Sequence, residues 1–298
     1  MGRNHVRVYT ELSGVELVAV ADTNFATAQD ISSTYGAKPF KNYQEMLELG
    51  LDAVSVAVPT TLHAEVTIAA ANYKTHVLVE KPIAHTVDAA REIIASCADN
   101  QVKLMVGHIE RFNPIIPVIK KAIAGKRPNL LEITRIGPFP PRIKDVGVIK
   151  DLAIHDVDLF RYITGSEVRK IYGLASGRKG EYEDTAVLII EMANGTIGRI
   201  TVNWLTPFKV RDLMIATREC LIKYSFIDQK VTEFRRSGES EAYLVNELKV
   251  PWCEPLKAEL KSFIDCIRSN STPLTTGEDG LRALEALEST TIFYTGNS

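Results

Sequence analysis

Within the first 108 residues, short apolar and β-branched runs alternate with helical stretches, and this alternation constrains the fold more than any other feature of the chain. Val15–Ala21, Asp52–Val58, His76–Glu80 and Val102–Gly107 read as strands. Helices are expected over residues 2–12, 25–35, 42–49, 62–73 and 87–99, with Asn42 as a cap and Gly36 as a stop. Strands with few polar positions, separated by helices, specify a parallel sheet covered on both faces, so this region is doubly wound α/β. Ligands of such sheets lie beyond the carboxyl ends of the strands. Those ends carry Asp22, Pro59-Thr60-Thr61, Glu80-Lys81-Pro82 and Gly107-His108.

A dinucleotide fold places the last glycine of its Gly-x-Gly-x-x-Gly turn about 20 residues before an acidic ribose-binding residue. Gly2 stands 20 residues before Asp22, so residues 2–12 read as the helix after that turn. The expected sheet therefore lacks its first strand and the first two glycines. By itself, Asp22 reads rather as a helix cap.

Past a helix over 113–124 the pattern changes to longer alternating strands: Leu130–Ile136, Thr185–Met192, Thr196–Trp204 after the Asn194-Gly195 turn, and Arg211–Tyr224. Further helices are expected over 151–163, closed by Gly165, and over 255–269 and 277–294. This is an α+β domain with a mostly antiparallel sheet. A chain of 298 residues accommodates two such domains, a dinucleotide-binding one over 1–108 and a substrate-binding and oligomerisation one over 109–298. The uncovered face of the second sheet would present Val187, Ile189, Ile197 and Ile200, which predicts a homo-oligomer, a dimer or tetramer.

Thirty-five Lys and Arg against 37 Asp and Glu leave a net charge of -2, which gives no basic footprint for nucleic acid or anionic lipid. No apolar run reaches the roughly 18 residues of a membrane span, and the polar opening lacks the core of a secretion signal, so a cytoplasmic protein is expected. Cys97, Cys220, Cys253 and Cys266 form no Cys-x-x-Cys pair and read as free thiols.

Three features could carry chemistry. Lys81 is presented at a strand end by Pro82, where a cofactor would lie, or is a solvated lysine at a surface strand end. Asp151 and His155 stand at i and i+4 on one helix face, where a carboxylate can orient a proton-moving histidine; a cap beside a satisfied histidine is the plainer alternative. Two ligands are too few for a metal site, and the absence of Gly-x-Ser-x-Gly argues against a nucleophilic hydrolase. Arg111, Arg142 and Lys144 are cations suited to a pyrophosphate, or ordinary surface charges.

Together these residues carry a resemblance. Asp22, Pro59-Thr60-Thr61-Leu62-His63, Glu80-Lys81-Pro82, Arg111-Phe112 and Asp151-x-x-x-His155-Asp156, in this order, resemble the glucose-fructose oxidoreductase, inositol dehydrogenase and MocA-like family of NAD(P)-dependent sugar oxidoreductases. Within it, Gly107–Pro114, Gly137–Ile143 and Asp145–Val148 are similar to the UDP-N-acetylglucosamine 3-dehydrogenase branch. The resemblance implies NAD rather than NADP, held by Gly2, Asp22, Pro59, Thr60, His63, Glu80, Lys81 and His108. It implies Lys81 and His155 as the catalytic pair with Asp151 in support, and a sugar or nucleotide-sugar substrate bound by Lys81, Arg111, Arg142, Asp151 and His155. The competing class is a regulatory binding protein of the same fold that lacks cofactor binding.

Overall fold

The computed structural model describes residues 1–140, 146–177, 182–237 and 242–295, which divide into two units. The chain begins with α1 (Gly2–Glu11), β1 (Ala19–Ala21), α2 (Phe25–Tyr35), β2 (Lys38–Phe40), α3 (Tyr43–Leu47) and β3 (Ala53–Val56). It continues through α4 (His63–Asn72), β4 (His76–Glu80), α5 (Val87–Asp99) and β5 (Leu104–Gly107). Local chemistry sets several boundaries. The Asn42 side chain accepts from the Gln44 N–H at the start of α3, Thr86 does the same for Ala89 in α5, and Gly36 takes a φ of 77° to end α2.

The five strands form two sheets, β1–β2 and β3–β4–β5, each parallel within itself. Among the described residues β1 and β3 are each bonded along one edge only. The run from Val15 is shorter than expected as a strand, because only Ala19–Ala21 finds ladder partners, in Lys38–Phe40.

The second unit contains α6 (Ile115–Ala122), β6 (Leu130–Pro138), a π-helical turn at Ile149–Ala153 leading into α7 (Ile154–Thr164), β7 (Val168–Ser176), β8 (Thr185–Met192) and β9 (Ile197–Asn203). Then follow β10 (Leu205–Ala216), β11 (Cys220–Ser225), β12 (Lys230–Arg236) and β13 (Tyr243–Leu248). The chain goes on through α8 (Pro255–Ser269), α9 (Gly277–Glu288) and β14 (Thr291–Tyr294). The nine strands of this unit form one sheet in the order β13-β12-β11-β10-β6-β9-β8-β7-β14, antiparallel except for β6–β9 and β7–β14.

Four expectations need correction. Arg211–Tyr224 is a hairpin rather than one strand, turning where the Thr217 hydroxyl accepts from the N–H groups of Glu219 and Cys220, a turn without glycine or proline. The last helix stops at Glu288, and Thr291–Tyr294 pairs with the edge of β7 instead. Ile200 is buried while Val187, Ile189 and Ile197 are exposed, because Ile200 and Ile197 differ by an odd number of residues and point to opposite faces. The chain also divides elsewhere than at residue 108: Glu254–Leu284 belongs with Met1–Phe112. The physical reason is that Leu256, Leu260 and Phe263 of α8 share a core with Val8, Leu78 and Met105, while Leu281 and Leu284 of α9 join Val79, Ile93 and Val106.

Candidate functional site

The carboxyl edge of the first unit presents most of the expected cofactor residues. Asp22 directly follows β1, and one of its oxygens accepts from the N–H of Asn24, the N-cap residue of α2, so it shapes the turn without capping the helix. Pro59 leads into a short 3-10 turn at Thr60–Leu62. Lys81 is half-buried just past β4, joined to Pro82 by a cis peptide bond. Gly2 opens α1 close to the end of β3, where a Cβ would lie 3.9 Å from that of Ala57. A helix N-terminus and an acidic group at this edge fit a dinucleotide, which needs the first for its pyrophosphate and the second for its ribose.

Beneath Lys81 lies a buried polar group that the sequence did not announce. The Glu80 carboxylate turns inward and accepts from Nε2 of His5 at 2.9 Å, and both side chains are almost fully enclosed. Gly107 on the neighbouring strand makes the room, since a Cβ there would stand 3.1 Å from Oε2 of Glu80. Burial pushes the Glu80 carboxyl up, but the hydrogen bond and charge of His5 and the charge of Lys81 outweigh it and hold the group below the usual carboxylate range. Glu259 of α8 is fully buried, and neither of its oxygens has a hydrogen-bond partner. Burial first, then the charges of Glu80 and Glu110, raise its carboxyl well above the ordinary value, so it stays protonated.

His63 spans two strand ends, Nδ1 lying 2.8 Å from the Pro82 carbonyl and Nε2 3.1 Å from that of Val58. Burial lowers its pKa against the pull of those carbonyls, so the ring is neutral and can donate to only one of them. Enclosed in this way, His63 ties Pro82 to Val58 at the edge. His108, just past β5, is also buried. Arg111 is buried, donating to Asp279 at 2.9 Å and to the Leu274 carbonyl at 3.1 Å, so its guanidinium ties the segment after β5 to the start of α9.

In the second unit Asp151 lies in the π-helical turn and His155 at the head of α7, both half-buried. The turn is wider than an α-turn, and such turns gather at functional sites. Two contacts seat the helix. The buried Arg135 of β6 donates to the fully enclosed Asp156 beside His155, with its guanidinium 5.1 Å from the Phe226 ring centroid. Gly198 of β9 lets Phe160 press onto the sheet, since a Cβ there would come within 2.4 Å of the ring. Arg142 and Lys144 fall outside the described residues. Among the described residues no three His, Cys, Asp or Glu side chains cluster as metal ligands, and no helix is long and apolar enough to cross a membrane. Three of the four free cysteines, Cys97, Cys220 and Cys266, are buried, and burial pushes the Cys97 thiol up to about 12.

Some residues missed in the sequence left a trace there. Glu259 occupies the apolar stripe of α8 with Leu256, Leu260 and Phe263, and Arg135 falls on the inward parity of β6 with Leu131 and Ile133. A charge at an apolar position of a periodic pattern is the signal. His5 has no such signal, because its partner Glu80 is 75 residues away.

Residues 1–108 match the family described as "Oxidoreductase family, NAD-binding Rossmann fold", and residues 134–219 match "GFO/IDH/MocA C-terminal domain". A UDP-N-acetylglucosamine 3-dehydrogenase of Acidithiobacillus ferrooxidans is 27% identical over 290 residues, covering 96% of this chain and 91% of the relative. A solved structure under that name has a TM-score of 0.90 at 26% identity, covering 97% of this chain and 92% of that one. A scyllo-inositol 2-dehydrogenase (NAD(+)) of Bacillus subtilis is also 27% identical, over 95% of this chain and 88% of the relative. The WlbA dehydrogenase of Bordetella pertussis, solved in complex with NADH and UDP-GlcNAcA, is 25% identical with a TM-score of 0.82, covering 97% of this chain and 91% of that one. A parallel-stranded NAD-binding unit followed by a broad, mostly antiparallel sheet, each matched by its own half of one family, makes this chain a member of the GFO/IDH/MocA family of NAD-binding oxidoreductases.

Proposed function

We propose that the chain is a cytoplasmic NAD-dependent dehydrogenase that oxidises a secondary hydroxyl of a nucleotide sugar, the 3-hydroxyl of UDP-N-acetylglucosamine, to the ketone. The observation that carries this reading is the seating of Asp151 and His155 on one wide turn and helix head, anchored to the sheet by the buried Arg135–Asp156 pair. An acid and a histidine held rigidly but half-exposed suit proton transfer better than capping alone. The similarity to the Acidithiobacillus enzyme over nearly the whole chain supports the substrate class.

Bound NAD supplies the hydride acceptor. Asp22 would hold its ribose, the start of α1 at Gly2 its pyrophosphate, and Pro59, Thr60 and the backbone at Glu80-Lys81 the remainder, with His63 and His108 supporting that edge from below. Loss of hydride from a sugar carbon requires the hydroxyl proton to leave as well, so Lys81 and His155 are the proton-handling groups and Asp151 orients the imidazole. Arg142 is assigned to the substrate pyrophosphate, and Arg111 is not. The outer face of the nine-stranded sheet is assigned to pairing with a second copy.

The test is to follow formation of reduced nicotinamide with UDP-N-acetylglucosamine, other UDP-sugars and inositols, using NAD and NADP. UDP-N-acetylglucosamine with NAD should turn over fastest, because the Asp22 carboxylate accepts from a ribose 2′-hydroxyl and repels a 2′-phosphate. Lys81→Ala and His155→Ala should each unfold at the parent temperature yet lose about 100-fold or more in turnover. Turnover with inositols but not UDP-sugars would reassign the substrate, and folded variants with normal turnover would remove the two residues from catalysis.

A further inference from the structure

We propose that Glu183 is a positioning residue for His155 and Asp151: it grips the N-terminal end of their helix from the neighbouring segment, and Gly147 exists to admit it. The proposal rests on the assignment of His155 and Asp151 to proton transfer.

The first N–H groups of a helix have no partner within it. In this helix two of them are satisfied by one residue. The Val148 N–H donates to the backbone carbonyl of Glu183 at 3.0 Å, and the Ile149 N–H donates to its carboxylate Oε1, also at 3.0 Å. The carboxylate charge at a helix N-terminus adds to the grip through the helix dipole. Its approach is so close that a Cβ on Gly147 would stand 2.1 Å from Oε1, a distance no side chain tolerates. The Gly147 carbonyl in turn accepts from the Asp151 N–H at 3.1 Å, so the gripped backbone is the one that sets Asp151.

The position of this contact is what gives it consequence. Asp156 fixes α7 on the side next to β6, and Phe160 fixes it one turn further along. Both anchors lie past the wide turn at Ile149–Ala153, which they hold only through α7. The Glu183 side chain bonds this end directly. Its loss should leave the unit folded, since the sheet and the α7 core do not involve it, but should loosen the turn and spread the orientations of Asp151 and His155. Misplacement by about an ångström is enough to cost a proton-transfer step on the order of 100-fold.

The experiment uses the full chain with Glu183→Ala, Glu183→Gln, Gly147→Ala and the Gly147→Ala/Glu183→Ala double variant. It measures amide hydrogen exchange across 147–155 by mass spectrometry, thermal unfolding, and kcat and KM with NAD and UDP-N-acetylglucosamine. Glu183→Ala should speed exchange of this segment and lower kcat by at least tenfold with KM for NAD unchanged. Glu183→Gln, which keeps an accepting oxygen, should restore most of both. Gly147→Ala should reproduce the Glu183→Ala losses by displacing the carboxylate, and the double variant should lose no more than either single one, because both remove the same contact. If Glu183→Ala does not fold, Gly147→Ala and Glu183→Gln carry the same comparison. Unchanged exchange would overturn the grip, and faster exchange with unchanged kcat would overturn its link to His155. If the parent protein turns over none of the sugars, the functional reading and the positioning role fail together, while the exchange measurements still decide the grip.

Discussion

Glu80 and Glu259 are buried in the same unit, yet their carboxyl groups move in opposite directions, because His5 bonds one and nothing bonds the other. This has a measurable sign. Unfolded, Glu259 ionises near the ordinary carboxylate value; folded, it keeps its proton well above that. Across this window the folded protein binds more protons than the unfolded chain, so stability falls as pH rises. Glu259→Gln removes the difference. It should unfold with the parent at about pH 4 and at a higher temperature than the parent at about pH 8, the gap widening between them. Parallel curves for the two proteins would mean that Glu259 is ionised in the fold. At this scale the place of Lys81 just past a strand was legible, because the apolar run before it ends at Glu80. The inward turn of Arg111 was not, because its partner Asp279 lies 168 residues away.

Helix α7 shows how an element acquires a fixed place. Its apolar residues choose a face, but Gly198 in the sheet decides where Phe160 lands, since a Cβ there would stand 2.4 Å from Cε2 and 2.7 Å from Cδ2 of the ring. Gly198→Ala should therefore cost about 1–3 kcal/mol in denaturant unfolding by forcing the ring aside. Because the displaced helix carries His155, turnover should fall as well. A variant as stable as the parent would show that the contact has slack. Helices α2, α5 and α8 lie where caps, stops and apolar spacing placed them. The turn at Thr217 and the strand Thr291–Tyr294 were missed for a common reason. Neither carries a local signal, and each exists because a ladder partner, β10 or β7, is at hand.

Across the whole molecule, the second unit leaves one sheet face largely uncovered, with Tyr172, Leu174, Val187, Ile189 and Ile197 at least 40% exposed. Apolar side chains clustered on neighbouring strands in this way mark an interaction surface rather than scattered exposure. Light scattering at micromolar concentration should give a mass above that of one chain, and Ile189→Glu should lower it without changing the thermal unfolding of dilute protein. A monomeric parent protein would refute the assembly. Glu254–Leu284, which returns to the first unit, gives a related expectation: a fragment ending before it should expose Leu78 and Met105 and aggregate.

The sequence by itself determined the alternation of strands and helices in the first unit, the change to a mostly antiparallel sheet in the second, and the places of Lys81 past a strand and of Asp151 and His155 at the start of one helix. These depend on periodicity, turn residues and strand ends, all local within about a dozen residues. Only the tertiary structure decided that the carboxylate of Glu80 would point inward to His5, that Arg135 would anchor the helix of His155, and that Glu183 would hold the turn of Asp151. Such contacts join residues far apart in the chain. Their energy comes from burial and from partners that exist only once the chain is packed, so no local pattern announces them.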